Sequence, residues 1–263
     1  MNARQTKVTI KTNERIAHRY CRLVLAAPSL ARTARPGNFI MVKVPDAAGV
    51  LLRRPLSIHR AEAARGRIEL LYEIVGPGTD ALSRKRSGDL IDVIGPLGNG
   101  FDVRTRARDA LNILVAGGVG VAPLVFLAQR LKKGKVLALI GARAEAHILC
   151  AGDFRRLGCE VRIATDDGSA GFRGRVTDLL EDVLMRIRRK KDFRPVLYGC
   201  GPAPMLKAMA RVCRENRLQS QVSLESHMAC GIGACLGCVV QTTRGYERVC
   251  KEGPVFRTDD LVW

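Results

Sequence analysis

The sequence predicts an α+β protein of several domains: an antiparallel β-barrel, a doubly wound parallel α/β domain and a small C-terminal domain. Three observations predict this order. Residues 1–105 hold short alternating apolar and polar runs between turn residues, residues 106–222 alternate apolar strands with helices, and residues 223–263 are rich in glycine and cysteine. Short alternating strands are typical of barrels and sandwiches, whereas strands alternating with helices indicate a parallel sheet.

The elements follow from these patterns. In the barrel region we expect strands over 7–11, 21–25, 38–44, 67–75 and 90–94, and a short helix over 80–85. In the next region we expect strands over 111–116, 135–140, 160–164 and 195–198, with helices over 124–132, 176–189 and 204–216. The last region is too small to build a core of its own, so a bound metal should stabilise it.

Four cysteines in this last region carry the strongest chemical signal. Cys230, Cys235 and Cys238 have C-x4-C-x2-C spacing, and Cys250 follows. This is the plant-type spacing of a 2Fe–2S cluster, and the glycines between the cysteines allow sharp turns around the irons. A four-thiolate zinc site and a disulfide framework are the alternatives. Zinc sites usually use C-x2-C pairs, of which this segment has one, and disulfide frameworks suit small secreted domains.

Two segments of the barrel region could hold a phosphate-bearing ring compound. In the run Arg53–Ser57, an arginine could clamp a phosphate and the serine hydroxyl could bond a ring nitrogen or a phosphate oxygen. Farther along, Tyr72 could stack on a flat ring, and Gly78–Thr79 could receive a pyrophosphate where a short helix opens. Each signal is weak by itself, because the R-P-L-S run occurs by chance and Tyr72 could belong to ordinary packing.

Two further segments follow buried strands of the α/β region. Gly117–Pro123 opens a helix, so its backbone N–H groups could face a pyrophosphate, although Pro123 stands where a full G-x-G-x-x-G fingerprint has glycine. An ordinary strand-to-helix turn is the alternative. Cys200–Pro202 should lie at the same sheet edge, with Cys200 against a nicotinamide ring or, alternatively, as an inert buried thiol. Arg143 could meet a 2′-phosphate, so the choice between NAD and NADP stays open.

The charge is high for a globular protein. The formal net charge is +19, with 47% hydrophobic and 26% charged residues. The basic residues are spread along the chain with few aromatics among them, so we expect no nucleic-acid partner; the run from Arg186 to Arg194 suits a solvated helix end. No apolar run approaches the roughly 20 residues of a membrane span, and no secretory signal is evident. We expect a cytoplasmic protein that does not contact the membrane.

The order of these motifs resembles the ferredoxin–NADP reductase superfamily over about residues 1–222. The segments Glu225–Cys238 and Cys250–Phe256, together with Thr165–Ser169, extend the likeness over essentially the whole chain. With them, the sequence resembles the family of electron-transfer subunits of type B dihydroorotate dehydrogenase. The high charge departs from that family's pattern.

The resemblance implies the cofactors and their residues. FAD would bind at Arg54, Pro55, Leu56, Ser57, Leu71, Tyr72, Glu73, Gly78 and Thr79. NAD would bind near Gly117, Gly118, Gly120, Pro123, Gly201 and Pro202, with Cys200 at the reacting ring. The 2Fe–2S cluster would take Cys230, Cys235, Cys238 and Cys250.

The resemblance also implies a reaction and a partner. Dihydroorotate would be oxidised on an FMN-containing catalytic subunit, and electrons would pass through the cluster and FAD to NAD⁺ in pyrimidine biosynthesis. Two chains of each kind would form a heterotetramer. Two alternatives stay open: a flavin subunit of an NAD(P)H-dependent ferredoxin reductase or sulfide dehydrogenase, and a non-enzymatic, zinc-stabilised interaction module with a decayed nucleotide domain.

Overall fold

The computed structural model describes residues 3–44, 50–103, 111–131, 135–187 and 195–263. These residues group into two units. The first comprises Met1–Gly100, Ser226–Val240 and Tyr246–Pro254, and the second comprises Phe101–Glu225, Gln241–Gly245 and Val255–Trp263. The C-terminal segment is thus shared between the two units. The division into domains 1–105, 106–222 and 223–263 stays a prediction.

The first unit contains a closed antiparallel barrel with the strand order β1-β2-β5-β4-β3-β6. Its elements are β1 (Arg4–Ala17), β2 (Tyr20–Ala26), α1 (Pro28–Thr33), β3 (Phe39–Lys43), β4 (Arg54–Glu62), β5 (Arg67–Glu73), α2 (Pro77–Ser83) and β6 (Leu90–Leu97). Alternate residues point into the barrel, as the buried Cys21, Leu23 and Leu25 of β2 show. The predicted barrel is confirmed. The sequence patterns did not indicate α1 or β4, and α2 begins three residues before its expected start.

The second unit contains a seven-stranded sheet with the order β10-β9-β8-β7-β11-β12-β15. The elements that build it are β7 (Asn112–Gly117), α3 (Val121–Arg130), β8 (Val136–Ala142), α4 (Ala151–Arg156), β9 (Glu160–Thr165), β10 (Phe172–Arg173), α5 (Val176–Ile187), β11 (Val196–Cys200), α6 (Ala203–Glu215) and β12 (Ser220–Ser223). After them come β13 (Val239–Thr242), β14 (Gly245–Arg248) and β15 (Val255–Arg257). All neighbours in the sheet are parallel except β12 and β15.

The chain reverses its direction of winding between β7 and β11. Strands β8, β9 and β10 extend the sheet on one side of β7, and the chain then returns to add β11 and β12 on the other side. The central strands are buried on both faces, with Ile113, Leu114 and Val115 of β7 fully covered, as in other parallel sheets. The predicted doubly wound sheet is therefore confirmed, and its switch point lies between β7 and β11.

The ends of two predicted helices fall outside the described residues. Residue 132, and residues 188–194 with most of the basic run, belong to that part of the chain. Within the described part, Arg186 pairs with Asp182 one helical turn earlier, at 3.0 Å. Among the described helices, none combines the length and the apolar character needed to cross a membrane.

Candidate functional site

The four cysteines of the C-terminal segment all lie in the first unit and form two pairs. The thiol of Cys230 lies within hydrogen-bond reach of Cys235, and that of Cys250 within reach of Cys238. Backbone N–H groups also point at the sulfurs, since Ile232 donates to Cys230 Sγ at 3.5 Å and Cys250 donates to Cys238 Sγ at 3.4 Å. Two thiolates for each of two irons, with amide groups directed at the sulfurs, fit a 2Fe–2S cluster.

The surroundings of the sulfurs differ between the two pairs. Burial raises the pKa of Cys230, but N–H groups of Cys235, Ile232 and Ala234 outweigh burial and lower that pKa to about 6. Burial, reinforced by Cys238, raises the pKa of Cys250 to about 12. A thiolate is the form that binds metal, so Cys230 favours the ligand form before any metal arrives, and Cys250 acquires it with the metal.

The cluster segment, which comprises residues 230–252 and contains the four cysteines, packs against the barrel. Gly231 has a φ of +71° and packs so closely on β3 that an added Cβ would lie 2.4 Å from Met41 Cγ. Met41 pairs in the sheet with Pro55 of β4. Two residues after β6, Asn99 donates through Nδ2 to the carbonyl of Glu252 at 2.9 Å. The residue beside Cys230 thus lies one strand away from the Arg53–Ser57 segment.

The two adjacent arginines of that segment have different roles. Arg53 donates to Asp92 Oδ1 at 2.9 Å. Partial burial raises the pKa of Asp92, but the hydrogen bonds from Arg53 and Gln5, together with nearby positive charge, outweigh burial, and the pKa lies below its ordinary value. Arg54 instead covers Gly78 in α2, where an added Cβ would lie 2.5 Å from Arg54 Nε. Arg54 therefore reaches the segment that was predicted to receive a pyrophosphate.

Thr79 shapes this segment through its hydroxyl group. Its Oγ1 accepts hydrogen bonds from the N–H groups of Val75 and Gly76, at 2.9 and 3.2 Å, and donates to the carbonyl of Gly76. Only 6% of Thr79 is exposed. Its side chain closes the turn before α2, so any contact with a phosphate would come from the backbone. The donors present, one guanidinium and the amino end of α2, fit the phosphates of FAD.

The predicted role of Tyr72 needs correction. The ring lies inside the barrel with 1% exposed, its hydroxyl donates to Asn13 Oδ1 at 3.0 Å, and burial raises its pKa. It cannot stack on a flavin in this position, because no face of the ring reaches solvent. Leu56 and Leu71 are also buried and can offer only backbone atoms. Flavin contacts at the half-buried Pro55, Ser57 and Glu73 stay predictions.

The two glycine segments of the second unit meet at the carboxyl edge of the sheet. A Cβ on Gly120 would lie 2.4 Å from the carbonyl oxygen of Cys200, and one on Gly117 would lie 3.0 Å from Pro202 Cδ. Gly201 has a φ of +155°, and a Cβ on it would lie 3.0 Å from the backbone nitrogen of Gly117. These contacts lie at the switch point between β7 and β11, which is where open α/β sheets bind nucleotides. Pro123 is buried in the first turn of α3, and Gly118 is half-buried at the start of the turn.

The predicted role of Cys200 also needs correction. Cys200 is 2% exposed and its thiol lies within hydrogen-bond reach of Ser223 on β12. Burial raises the pKa of this thiol, and the charge of Glu225 raises it further. A neutral, covered thiol is not placed to act on a bound ring, so a catalytic role would require the strand end to rearrange.

Several residues of the site escaped sequence analysis. Met41 and Asn99 hold the cluster segment through contacts with residues far away in the chain, and Arg248 joins its two loops. An asparagine between two glycines at 98–100 is a turn signal, but nothing near it indicates a partner beyond residue 250.

Comparison with known proteins identifies the relatives of this chain. Residues 225–262 match the family described as the iron–sulfur cluster binding domain of dihydroorotate dehydrogenase B. Residues 7–101 match an oxidoreductase FAD-binding domain, and residues 114–211 match an oxidoreductase NAD-binding domain.

Whole-chain relatives agree with these matches. The chain is 42% identical to the electron transfer subunit of dihydroorotate dehydrogenase B (NAD(+)) from Desulforamulus reducens, with 90% of each chain covered. It is 41% identical to the subunit of the same name from Geobacillus kaustophilus, covering 97% of this chain and 98% of that one. A solved structure of an NADH-dependent reduced ferredoxin–NADP oxidoreductase superposes with a TM-score of 0.83 at 29% identity, covering 97% of this chain and 90% of that one.

Proposed function

The chain belongs to the family of electron-transfer subunits of NAD-linked dihydroorotate dehydrogenase B, and we propose that it carries electrons between a dihydroorotate-oxidising partner and NAD⁺ in pyrimidine biosynthesis. The FAD-binding, NAD-binding and iron–sulfur domains supply the three cofactors of this reaction. The cluster transfers single electrons and the flavin converts them to the hydride that NAD⁺ accepts. The protein residues bind and orient these groups.

One observation carries the proposal: the cluster segment packs on the strand that borders the flavin segment. Gly231 touches Met41, and Met41 pairs with Pro55 beside Arg54. Electron transfer between two centres requires that they lie close together, and this packing supports a short path within one unit. Arg54 would hold a flavin phosphate, while the closed turn at Thr79 keeps the amino end of α2 in place.

The nucleotide would bind at the switch point of the second unit. Gly117 and Gly120 have no side chains, so the turn after β7 can pack directly on the backbone of Cys200–Gly201. A pyrophosphate could then approach the backbone N–H groups of this turn closely. The relatives' names specify NAD(+). On this basis we propose NAD as the nucleotide, although the exposed Arg143 follows β8 where an acidic residue would favour NAD.

The partner would dock over the cluster. Around Cys235, which is exposed, the side chains of Ile232, Leu236 and Val239 are 53%, 60% and 42% exposed. Apolar side chains grouped on a surface mark an interaction site. The relatives are named as subunits. The partner would be the FMN-containing catalytic subunit, in a heterotetramer of two chains of each kind, and the complex would work in the cytoplasm.

A second candidate function deserves a direct test. The structural match to a ferredoxin–NADP oxidoreductase, at a TM-score of 0.83, would also suit a flavin subunit that reduces ferredoxin. Identities near 40% to dihydroorotate dehydrogenase subunits favour the first function. Purification of the native complex separates them, because the co-purifying chain is either an FMN-containing dihydroorotate dehydrogenase or a ferredoxin-linked enzyme.

The division of labour between the subunits can be assayed. The isolated chain should oxidise NADH with an artificial acceptor, since FAD and NAD sites suffice for that, and should not act on dihydroorotate. The complex should form NADH from dihydroorotate and NAD⁺, and the complex carrying Cys238→Ser should lose this activity. NADH formation from dihydroorotate by the chain alone, or normal formation without the cluster, would contradict the proposal.

A further inference from the structure

Arg248 joins the two loops that carry the cluster cysteines. It ends β14, two residues before Cys250, and its Nη1 donates to the carbonyl of Gly233 at 2.9 Å. Gly233 lies between Cys230 and Cys235 in the first loop. One side chain therefore connects the loop of the first three cysteines with the loop of the fourth.

The same guanidinium group forms a two-pronged ion pair with Glu252. Nε donates to Oε2 at 2.9 Å and Nη2 donates to Oε1 at 2.5 Å, while the backbone N–H of Arg248 also donates to Oε2 at 2.8 Å. The side chains of Arg248 and Glu252 are 27% and 30% exposed. A bidentate pair of this kind holds the guanidinium in one orientation, which a lysine could not reproduce.

The charge of Arg248 acts on the buried pair of sulfurs, those of Cys250 and Cys238. Reduction adds one electron to the cluster and its thiolates, and a fixed cation nearby stabilises that added negative charge. Glu252 is paired with the guanidinium, and its negative charge offsets part of this effect.

We propose that Arg248 is a positioning residue of the iron–sulfur centre. Its side chain holds the two cysteine loops together, and its positive charge raises the reduction potential of the cluster. The negative charge of Glu252 opposes this rise. Two functions are thus combined in one side chain. The hydrogen bond to Gly233 and the bidentate ion pair with Glu252 hold the two loops together, and the positive charge stabilises the reduced cluster.

The test is a redox titration of the full chain, loaded with cluster and FAD, followed by the electron paramagnetic resonance signal of the reduced cluster. Arg248→Gln should lower the midpoint potential by about 59 mV. For a one-electron centre this shift lowers the ratio of reduced to oxidised cluster about tenfold at a given potential. Glu252→Gln should shift it in the opposite direction. Arg244→Gln, which removes one positive charge from the same hairpin, is the matched control and should leave the potential unchanged.

Arg248→Lys separates the two roles. This variant keeps the positive charge but cannot form the bidentate ion pair with Glu252. The reduction potential should therefore stay near that of the wild type, while a chelator should remove the cluster more readily. An unchanged potential in Arg248→Gln, or an equal shift in Arg248→Lys, would overturn the proposal. If Arg248→Gln binds no iron, Glu252→Gln decides: a raised potential supports the role of the charge, and an unchanged potential refutes it.

Discussion

The cluster segment and the nucleotide edge, which is the sheet edge proposed to bind NAD, differ in how far apart their residues lie in the sequence. All four predicted metal ligands lie within one short segment, 230–250, and the spacing of cysteines alone predicts them. The nucleotide edge joins Gly117–Gly120 to Cys200–Gly201, which are far apart in the chain and meet only because β7 and β11 are neighbours in the sheet. A local site can be identified from residue spacing, whereas a site at a sheet edge depends on topology.

Loss of one cysteine should abolish the cluster and leave the flavin bound. Cys235→Ser removes one thiolate from the exposed pair, so we expect iron and acid-labile sulfide to fall to background, while FAD absorbance persists because its residues lie in the barrel. Cys213→Ser, a buried cysteine of α6, is the control and should keep both cofactors. Stoichiometric zinc in the wild-type protein would contradict the cluster assignment.

A methyl group at Gly120 should disturb the nucleotide edge. It would meet the backbone of Cys200 at 2.4 Å, so the strand ends must separate, at a cost of roughly 1–3 kcal/mol in the free energy of unfolding. We expect a raised KM for NADH with an artificial acceptor, together with unchanged cluster content. Gly152→Ala in α4 meets only the end of Arg156, at 3.4 Å, and should behave as the wild type. Normal NADH kinetics in Gly120→Ala would mean that this edge does not bind the nucleotide.

Replacement of Arg54 should weaken FAD binding. A charge-assisted hydrogen bond contributes roughly 1.5–3 kcal/mol, so Arg54→Ala should lower the affinity by about ten- to a hundredfold, measured by FAD retention on dialysis. Arg53→Ala is the matched control. It breaks the contact with Asp92 and should lower the free energy of unfolding with less effect on FAD. Equal loss of FAD in both variants would remove the distinction between the two arginines.

Tyr72→Phe should have the smallest effect. It removes the hydrogen bond to Asn13 and the weaker one with the Cys21 thiol, so the free energy of unfolding should fall by about 0.5–1.5 kcal/mol in denaturant titrations. The flavin absorbance spectrum should not change, because the ring is buried in the barrel. A shifted flavin spectrum would restore the stacking role that the sequence suggested.

Much of the fold could be predicted because its signals are local. Alternation of apolar residues in β2 and β6, and the apolar run of β7, follow from which faces each strand buries. Helix and strand ends were less accurate, and α1, β4 and α4 were missed. The C-terminal segment also supplies β15 to the sheet of the second unit, which its glycine- and cysteine-rich composition did not indicate.

The sequence by itself determined the order of barrel and parallel sheet, and it predicted the cluster ligands and the segments from which each site is drawn. Only the tertiary structure decided which members of those segments are presented. In the tertiary structure Arg54 covers Gly78, whereas Arg53 donates a hydrogen bond to Asp92. The side chains of Tyr72 and Cys200 are buried. The tertiary structure also packs Gly231 on Met41 and ties Gly233 to Glu252 through Arg248. The physical reason is that spacing along the chain governs ligands within one loop, whereas burial and long-range contacts arise only when distant strands pack together.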